Sequence, residues 1–313
     1  MTDLIRPVTR PVIRIATRGS QLALWQANWV RAQLEAQGLT CELLRIETQG
    51  DREQTAFAKM QGQGFFTKAV QAAVLEDRAD IAVHSLKDLP SATTPGLMIA
   101  AIPTREDARD VLIARKEFLA EFLDASSKFS LKPGTVVGTS AVRRRAQVQA
   151  IDPNLELQEL RGNVPTRIEK LRRGEYGAII LAAAGLNRLN SDRLELDLSD
   201  LHTRTLEPHE FVPAPGQGAL ALECRSDDTV IIQALSGLNS EVARDTIQIE
   251  RGLMAQLDGG CQLALGAHAN LGPQGWRLQV WYERFFEVQA LSADAVIEQA
   301  FTQIHNPRET ISP

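Results

Sequence analysis

Strand-like and helix-like segments alternate along the first two thirds of the chain, and this alternation limits the possible folds more than any single residue does. Residues 12–16 read as a strand, and Ser20 is placed to cap a helix. In that helix Leu22, Trp25, Trp29, Ala32 and Ala36 recur at helical spacing until Gly38. Residues 42–48 form a second strand, and 49–64 a glycine-interrupted loop. Phe66, Val70 and Val74 mark a second helix, and 80–84 a short buried strand. Strand-helix-strand-helix-strand calls for a parallel sheet with crossover helices.

After a strand at 97–102 and a hinge-like stretch at 103–107, the pattern returns. Strands at 135–138, 155–160 and 178–181 are separated by helices at 141–150 and 164–173, the second closed by Gly174. The Pro/Gly-rich stretch 211–218 reads as the chain crossing back between domains into a strand at 219–223. A helix at 239–257, strands at 263–269 and 276–283, and a helix at 293–304 make a small third domain. The expected division is 1–104 with 214–236, then 105–213, then 237–313. A chain of 313 residues is long enough for these three cores.

Charge and composition exclude several functions. A net charge of -5 argues against nonspecific nucleic-acid binding. No apolar run is long enough to span a bilayer, and Met1 to Pro7 lacks the apolar core of a signal peptide, so a cytoplasmic location is expected. No Cys-x-x-Cys or His-x-x-x-His spacing suggests a metal. Of the three cysteines, Cys41 opens a strand and Cys224 closes one, as packing residues do. Cys261 differs. It follows Asp258-Gly259-Gly260 at a helix stop, on an exposed turn.

The 34 basic residues are 27 arginines and 7 lysines. Arginine binds planar carboxylates and phosphates bidentately, so the excess suits an anionic ligand, although coding bias explains it equally well. The local density between Gly134 and Arg188 is more specific: nine basic residues stand against five acids. In parallel α/β sheets, ligands bind beyond the carboxyl ends of the strands. Thr17-Arg18-Gly19-Ser20, His84-Ser85-Leu86-Lys87-Asp88, Gly138-Thr139-Ser140, Arg161-Gly162-Asn163 and Arg188 all fall at such ends. Thr139 and Ser140 are expected as capping hydroxyls, and Arg167 lies one turn into its helix. Each cluster alone also reads as a cap, a solvated face or a surface ion pair, and His84 as a packed histidine. Asp88, among so many cations, reads as a fixed carboxylate suited to a positively charged or N–H-bearing centre. The residues alone are also consistent with a two-lobed module that binds small anionic solutes.

Taken together, the motifs resemble the porphobilinogen deaminase (hydroxymethylbilane synthase) family. They are residues 14–20 (Arg-Ile-Ala-Thr-Arg-Gly-Ser), 22–27, 84–90 (His-Ser-Leu-Lys-Asp-Leu-Pro), 105–110 and 138–144 (Gly-Thr-Ser-Ala-Val-Arg-Arg). Residues 160–167 (Leu-Arg-Gly-Asn-Val-Pro-Thr-Arg), 183–189, 213–220 and 259–262 complete the series in order. The resemblance covers about Arg14 to Ala269. It implies an α/β fold: two periplasmic-binding-protein-like α/β domains with a hinged cleft, plus a small α+β C-terminal domain carrying the cofactor cysteine.

It further implies a dipyrromethane cofactor held by a thioether to Cys261, and Asp88 as the catalytic carboxylate. Ser85, Lys87, Thr139, Ser140, Arg143 and Arg144 would hold the cofactor. Arg18, Ser20, Arg161, Arg167, Arg188 and Gln217 would hold substrate and the growing chain. The implied substrate is porphobilinogen. Four molecules lose ammonia and condense head-to-tail on the cofactor, and the product is released by hydrolysis as hydroxymethylbilane. No metal, nucleic acid or membrane takes part, and a monomer is expected. Two departures stand out. Gln63 replaces the usual lysine ahead of the Phe66 helix, although Lys59 remains, and residues 276–313 diverge and lack an expected Asp-Gly hairpin.

Overall fold

The structure, a computed structural model, describes residues 12–46, 65–120, 128–191, 196–257 and 263–306. Cys261 with Gly259 and Gly260, the expected loop at 49–64 with Lys59 and Gln63, and residues 47 and 48 of the second expected strand lie outside the described residues. In chain order the elements begin β1 (Ile13–Arg18), α1 (Gln21–Glu35), β2 (Cys41–Ile46), α2 (Phe65–Leu75), β3 (Ile81–Ser85), β4 (Leu97–Ala101) and β5 (Asp110–Ala114). There follow β6 (Val136–Gly138), α3 (Val142–Ile151), β7 (Glu156–Gln158), α4 (Val164–Arg172), β8 (Ala178–Ala182), α5 (Ala183–Ser191) and β9 (His202–Leu206). The last are β10 (Leu220–Arg225), α6 (Thr229–Ser236), α7 (Glu241–Gln256), β11 (Gly266–Gly272), β12 (Gly275–Tyr282), β13 (Arg284–Ala290) and α8 (Ala293–His305).

Residues up to Arg105, with Ala219–Arg244, form one compact unit built on a sheet of order β2-β1-β3-β10-β4. β1, β2 and β3 run parallel as the alternation requires, but β10 lies antiparallel between β3 and β4. The sheet buries both faces. Ile13, Ile15, Ile81, Val83 and Leu222 pack against α1 and α6, and Ala16, Ala82 and Ile46 pack with Val70 and Val74 of α2. Ser20 caps α1, its Oγ accepting the Ala23 N–H at 3.3 Å. The buried stripe of α1 is Gln26, Ala27, Val30 and Leu34. Trp25 and Trp29 lie half-buried at its border instead of forming it, because an apolar helix face spans more than one ridge. Cys224 is fully buried, and desolvation pushes its thiol up to about 11, so it is a packing residue.

Residues Glu106–Gly218 and those from Asp245 onward form the second compact unit. Its larger sheet has the order β7-β6-β8-β5-β9. β5 is antiparallel to both neighbours and buried at every position. The alternation did not reveal it, since Val111-Leu112-Ile113-Ala114 is too short to show a period and follows a charged stretch read as a hinge. Both large sheets are therefore mixed, each accepting one strand from beyond its own parallel run.

A smaller antiparallel sheet, β11-β12-β13, is covered by α8 around Leu278, Val280, Phe286, Val296 and Ala300. β13 was not foreseen. In place of an Asp-Gly hairpin, β11 and β12 are joined across Gly272 and Gly275, the latter at φ +105. Glu250 of α7 is fully buried and ties this part to the 211–218 stretch. Its Oε2 accepts the Gly216 N–H at 2.8 Å and its Oε1 the Ala269 N–H at 2.9 Å.

The chain leaves the first unit after Arg105 and returns to it at Ala219. The segments beside these crossings run together: the Glu106 N–H donates to the Gly218 carbonyl at 3.1 Å. Gly218 has φ +89, and an added Cβ would come within 2.2 Å of the Glu106 carbonyl oxygen. Both the left-handed backbone and the close approach demand glycine. Gly218→Ala is expected to lower unfolding free energy by at least about 2 kcal/mol, read by urea denaturation. An unchanged midpoint would contradict this packing.

Candidate active site

In the first unit β1 and β3 are parallel neighbours, so their carboxyl ends lie at one edge of the sheet. That edge gathers Arg18, Ser20, Ser85, Lys87 and Asp88. Ser85 ends β3, and Leu86–Asp88 turn through one 3-10 step closed by the Leu89 N–H on the Leu86 carbonyl at 3.1 Å. The Leu86 N–H donates to Ala219 at 3.0 Å, anchoring the turn to the start of β10. The Gln26 amide of α1 donates to Ser85 Oγ at 2.8 Å and so orients the hydroxyl. Lys87 is half-buried and Asp88 is exposed. Behind them His84 is buried, with Nε2 3.0 Å from Glu223 Oε2 but in no hydrogen bond among the described residues; Glu223 Oε2 accepts from Gln71 of α2 at 2.9 Å. His84 is thus a packed histidine within a polar trio.

In the second unit the parallel strands β6, β7 and β8 bring Thr139, Ser140, Arg161 and the start of α5 to one edge. Thr139 is buried, while Ser140 is exposed and donates to the Leu160 carbonyl. Neither hydroxyl caps α3. The N-cap is Ala141, with no side-chain cap, so the expected capping is replaced by strand-edge bonding. Asn163 caps α4, its Oδ1 accepting the Thr166 N–H at 2.9 Å, and Arg167 Nε donates to the Gly162 carbonyl at 2.7 Å. Arg161 is exposed and pairs with Glu159 at 2.7 Å.

The other basic candidates of the second unit are buried. Arg143 and Arg144, the first full turn of α3, reach inward to Asp110 at 2.8 and 2.7 Å. Gln217 Nε2 joins the same carboxylate at 3.1 Å. Sequence reasoning missed Asp110. The available signal was an acid opening an all-apolar strand, a position that requires a buried cationic partner. Arg188 of α5 is 6% exposed and donates from Nη2 to the Gly218 carbonyl at 2.7 Å.

Burial pulls the Arg188 guanidinium down to about 10, partly offset by Glu106. A base whose folded pKa is depressed costs stability at neutral pH, where its charge is held against burial. Such a cost is retained where the charge has a use. Arg188→Met is therefore expected to melt no earlier than wild type while KM rises about tenfold or more, the loss of one charge-assisted hydrogen bond. A lower melting temperature with unchanged KM would make Arg188 structural.

Among the described residues, no group of three or more His, Cys, Asp or Glu is placed to hold a metal ion, and no helix is long and apolar enough to cross a membrane. The edge in the first unit offers hydroxyls, cations and the exposed carboxylate of Asp88, and the edge in the second offers hydroxyls, cations and the exposed Arg161–Glu159 pair. Cations with hydroxyls at a strand end suit an anionic ligand.

Comparison with solved structures finds low similarity. The BvgS VFT2 domain of Bordetella pertussis is 13% identical with a TM-score of 0.45, covering 78% of this chain and 93% of that one. A periplasmic binding protein of Salmonella typhimurium is 11% identical with a TM-score of 0.41, covering 76% and 98%. Sequence comparison is far stronger. The porphobilinogen deaminase of Sulfurimonas denitrificans is 46% identical over 264 residues, 83% of this chain and 80% of the relative. That of Mycolicibacterium gilvum is 45% identical over 260 residues, 83% and 78%. The profile described as "Porphobilinogen deaminase, dipyromethane cofactor binding domain" matches residues 13–233. With that span matched and relatives above 40% identity over four fifths of the chain, this protein belongs to the porphobilinogen deaminase family.

Proposed function

We propose that this chain deaminates porphobilinogen and condenses four molecules of it, head to tail, on a covalent dipyrromethane primer, releasing hydroxymethylbilane for tetrapyrrole synthesis. The observation that carries the reading is 46% identity to a porphobilinogen deaminase over 83% of the chain. The residues fit the cofactor. Ser85, Thr139 and Ser140 supply hydroxyls, and Lys87, Arg143 and Arg144 supply cations. Arg143 Nε is buried with no hydrogen-bond partner among the described residues. That donor set suits a group bearing several carboxylates. When bound, the dipyrromethane supplies a nucleophilic pyrrole carbon.

The chain's own groups then have separate tasks. Arg18, Ser20, Arg161, Arg167, Arg188 and Gln217 hold the acetate and propionate arms, two carboxylates per substrate. Bidentate arginine contacts fix each ring against rotation as well as binding its charge. Asp88 accepts pyrrole N–H groups and stabilises positive charge developing at the aminomethyl carbon as ammonia departs. A carboxylate aimed there acts more strongly on the transition state than on the neutral ground state. Gln26 keeps Ser85 oriented, and the bond from Leu86 to β10 holds the turn that presents Asp88. Cys261 tethers the primer, and the enzyme is taken to work as a cytoplasmic monomer.

Intact-mass spectrometry after folding with porphobilinogen tests this. The expected result is a chain heavier than 34.4 kDa by one dipyrromethane, with hydroxymethylbilane formed on further substrate. A bare chain and no turnover would overturn the reading. Tight binding of a dicarboxylate by that bare chain would favour a solute-binding module instead.

A further inference from the structure

We propose that Asp110 is a positioning residue for the two buried arginines of the second unit, a role that rests on the reading of Arg143 and Arg144 as cofactor-holding groups. The carboxylate is fully buried at the start of β5. Its Oδ1 accepts from Arg144 Nε at 3.0 Å and Nη2 at 2.7 Å, and from Gln217 at 3.1 Å. Its Oδ2 accepts from Arg143 Nη2 at 2.8 Å. Each guanidinium is pinned a second time by a carbonyl: Arg143 Nη1 on Val212 at 2.7 Å, and Arg144 Nη1 on Ile180 at 2.9 Å. Val212 is itself fixed by Gln147, which donates to its carbonyl and accepts its N–H, both at 2.8 Å. Two directional anchors per guanidinium leave little freedom of rotation.

Among the described residues, one carboxylate against two guanidiniums gives this buried cluster a charge of one positive unit. Arg143, 5% exposed, keeps Nε without a hydrogen bond, and burial lowers its hold on its proton despite Asp110. A buried excess cation of this kind is costly unless an anionic group completes it.

Asp110 therefore has two separable effects on an incoming carboxylate, of opposite sign. As a countercharge it cancels half of the attraction. As a clamp it holds both forks in place before the ligand arrives, which removes an ordering cost from binding. The geometry assigns the larger effect to the clamp, because Asp110 orients both guanidiniums and Gln217 at once.

A pair of variants separates the effects. In Arg144→Met, Asp110 still holds Arg143 and the cluster is neutral. Adding Asp110→Asn restores the charge of one positive unit but releases Arg143. A countercharge role predicts that the added substitution improves loading, and a clamp role that it impairs it. Each protein is folded with porphobilinogen, the fraction gaining the mass of a dipyrromethane is measured, and melting is recorded in parallel. At least a fivefold fall in that fraction from Arg144→Met to the double variant, at similar melting temperatures, is expected. The double variant removes one charge of each sign and retains its fold where Asp110→Asn alone, leaving two unopposed cations, loses it. Equal or greater loading in the double variant overturns the proposal alone. A wild type that gains no mass overturns the functional reading and the proposal together.

Discussion

Asp88→Asn is expected to lower kcat by about 10²–10³-fold, roughly 3–4 kcal/mol of transition-state stabilisation, while the protein still gains the mass of its cofactor. Attaching the dipyrromethane also breaks two carbon–nitrogen bonds, with loss of two ammonia molecules, but it happens once per chain. A slowed step still completes it during prolonged folding with substrate, whereas kcat registers the slowed step in every cycle. Asparagine keeps the shape and one carbonyl acceptor but loses the charge. Asp88 is exposed, so the substitution leaves no buried group without a partner, and the melting temperature should not move. Single-turnover measurements on the loaded protein check the rate. Wild-type kcat in the Asn variant would remove Asp88 from the chemistry.

The second large effect is expected from Cys261→Ala: no covalent mass gain and no detectable turnover, with the fold intact. Only a thiolate at that position can form a stable thioether, and no hydroxyl or amine next to it in sequence offers an equivalent nucleophile. The fold should survive because the flanks carry the packing. Leu253 and Leu257 lead into the segment from α7, Leu263 and Leu265 lead out of it, and all four join the core beneath β11 and β12. Glu250 fixes the same helix to Gly216 and Ala269. Melting of the alanine protein should match that of wild type folded without substrate. A mass gain in the alanine protein would show that the tether is elsewhere.

The reading of the residues was accurate where information is local. Ser20 caps α1 because a hydroxyl before a periodic apolar run has one good use. The parallel strands β1 to β3 and β6 to β8 follow from alternation alone. Local pattern did not show β5, and it located the strand at 219–223 without showing that β10 pairs antiparallel with β3 and β4. It also failed at β13, where the chain turns back at Glu283, a non-glycine residue with φ +60.

The sequence by itself determined the α/β class, the arginine-rich strand ends and the family, since periodicity, composition and motif order survive without coordinates. Only the tertiary structure decided what the arginines face. Arg161 pairs with an exposed acid, Arg188 reaches a carbonyl, and Arg143 and Arg144 close on Asp110 from 33 and 34 residues away, with Gln217 arriving from 107. A side chain's type fixes its charge, but its partner depends on which strands lie side by side. That follows from burying both faces of each large sheet at once, a property of the whole chain that no local window contains.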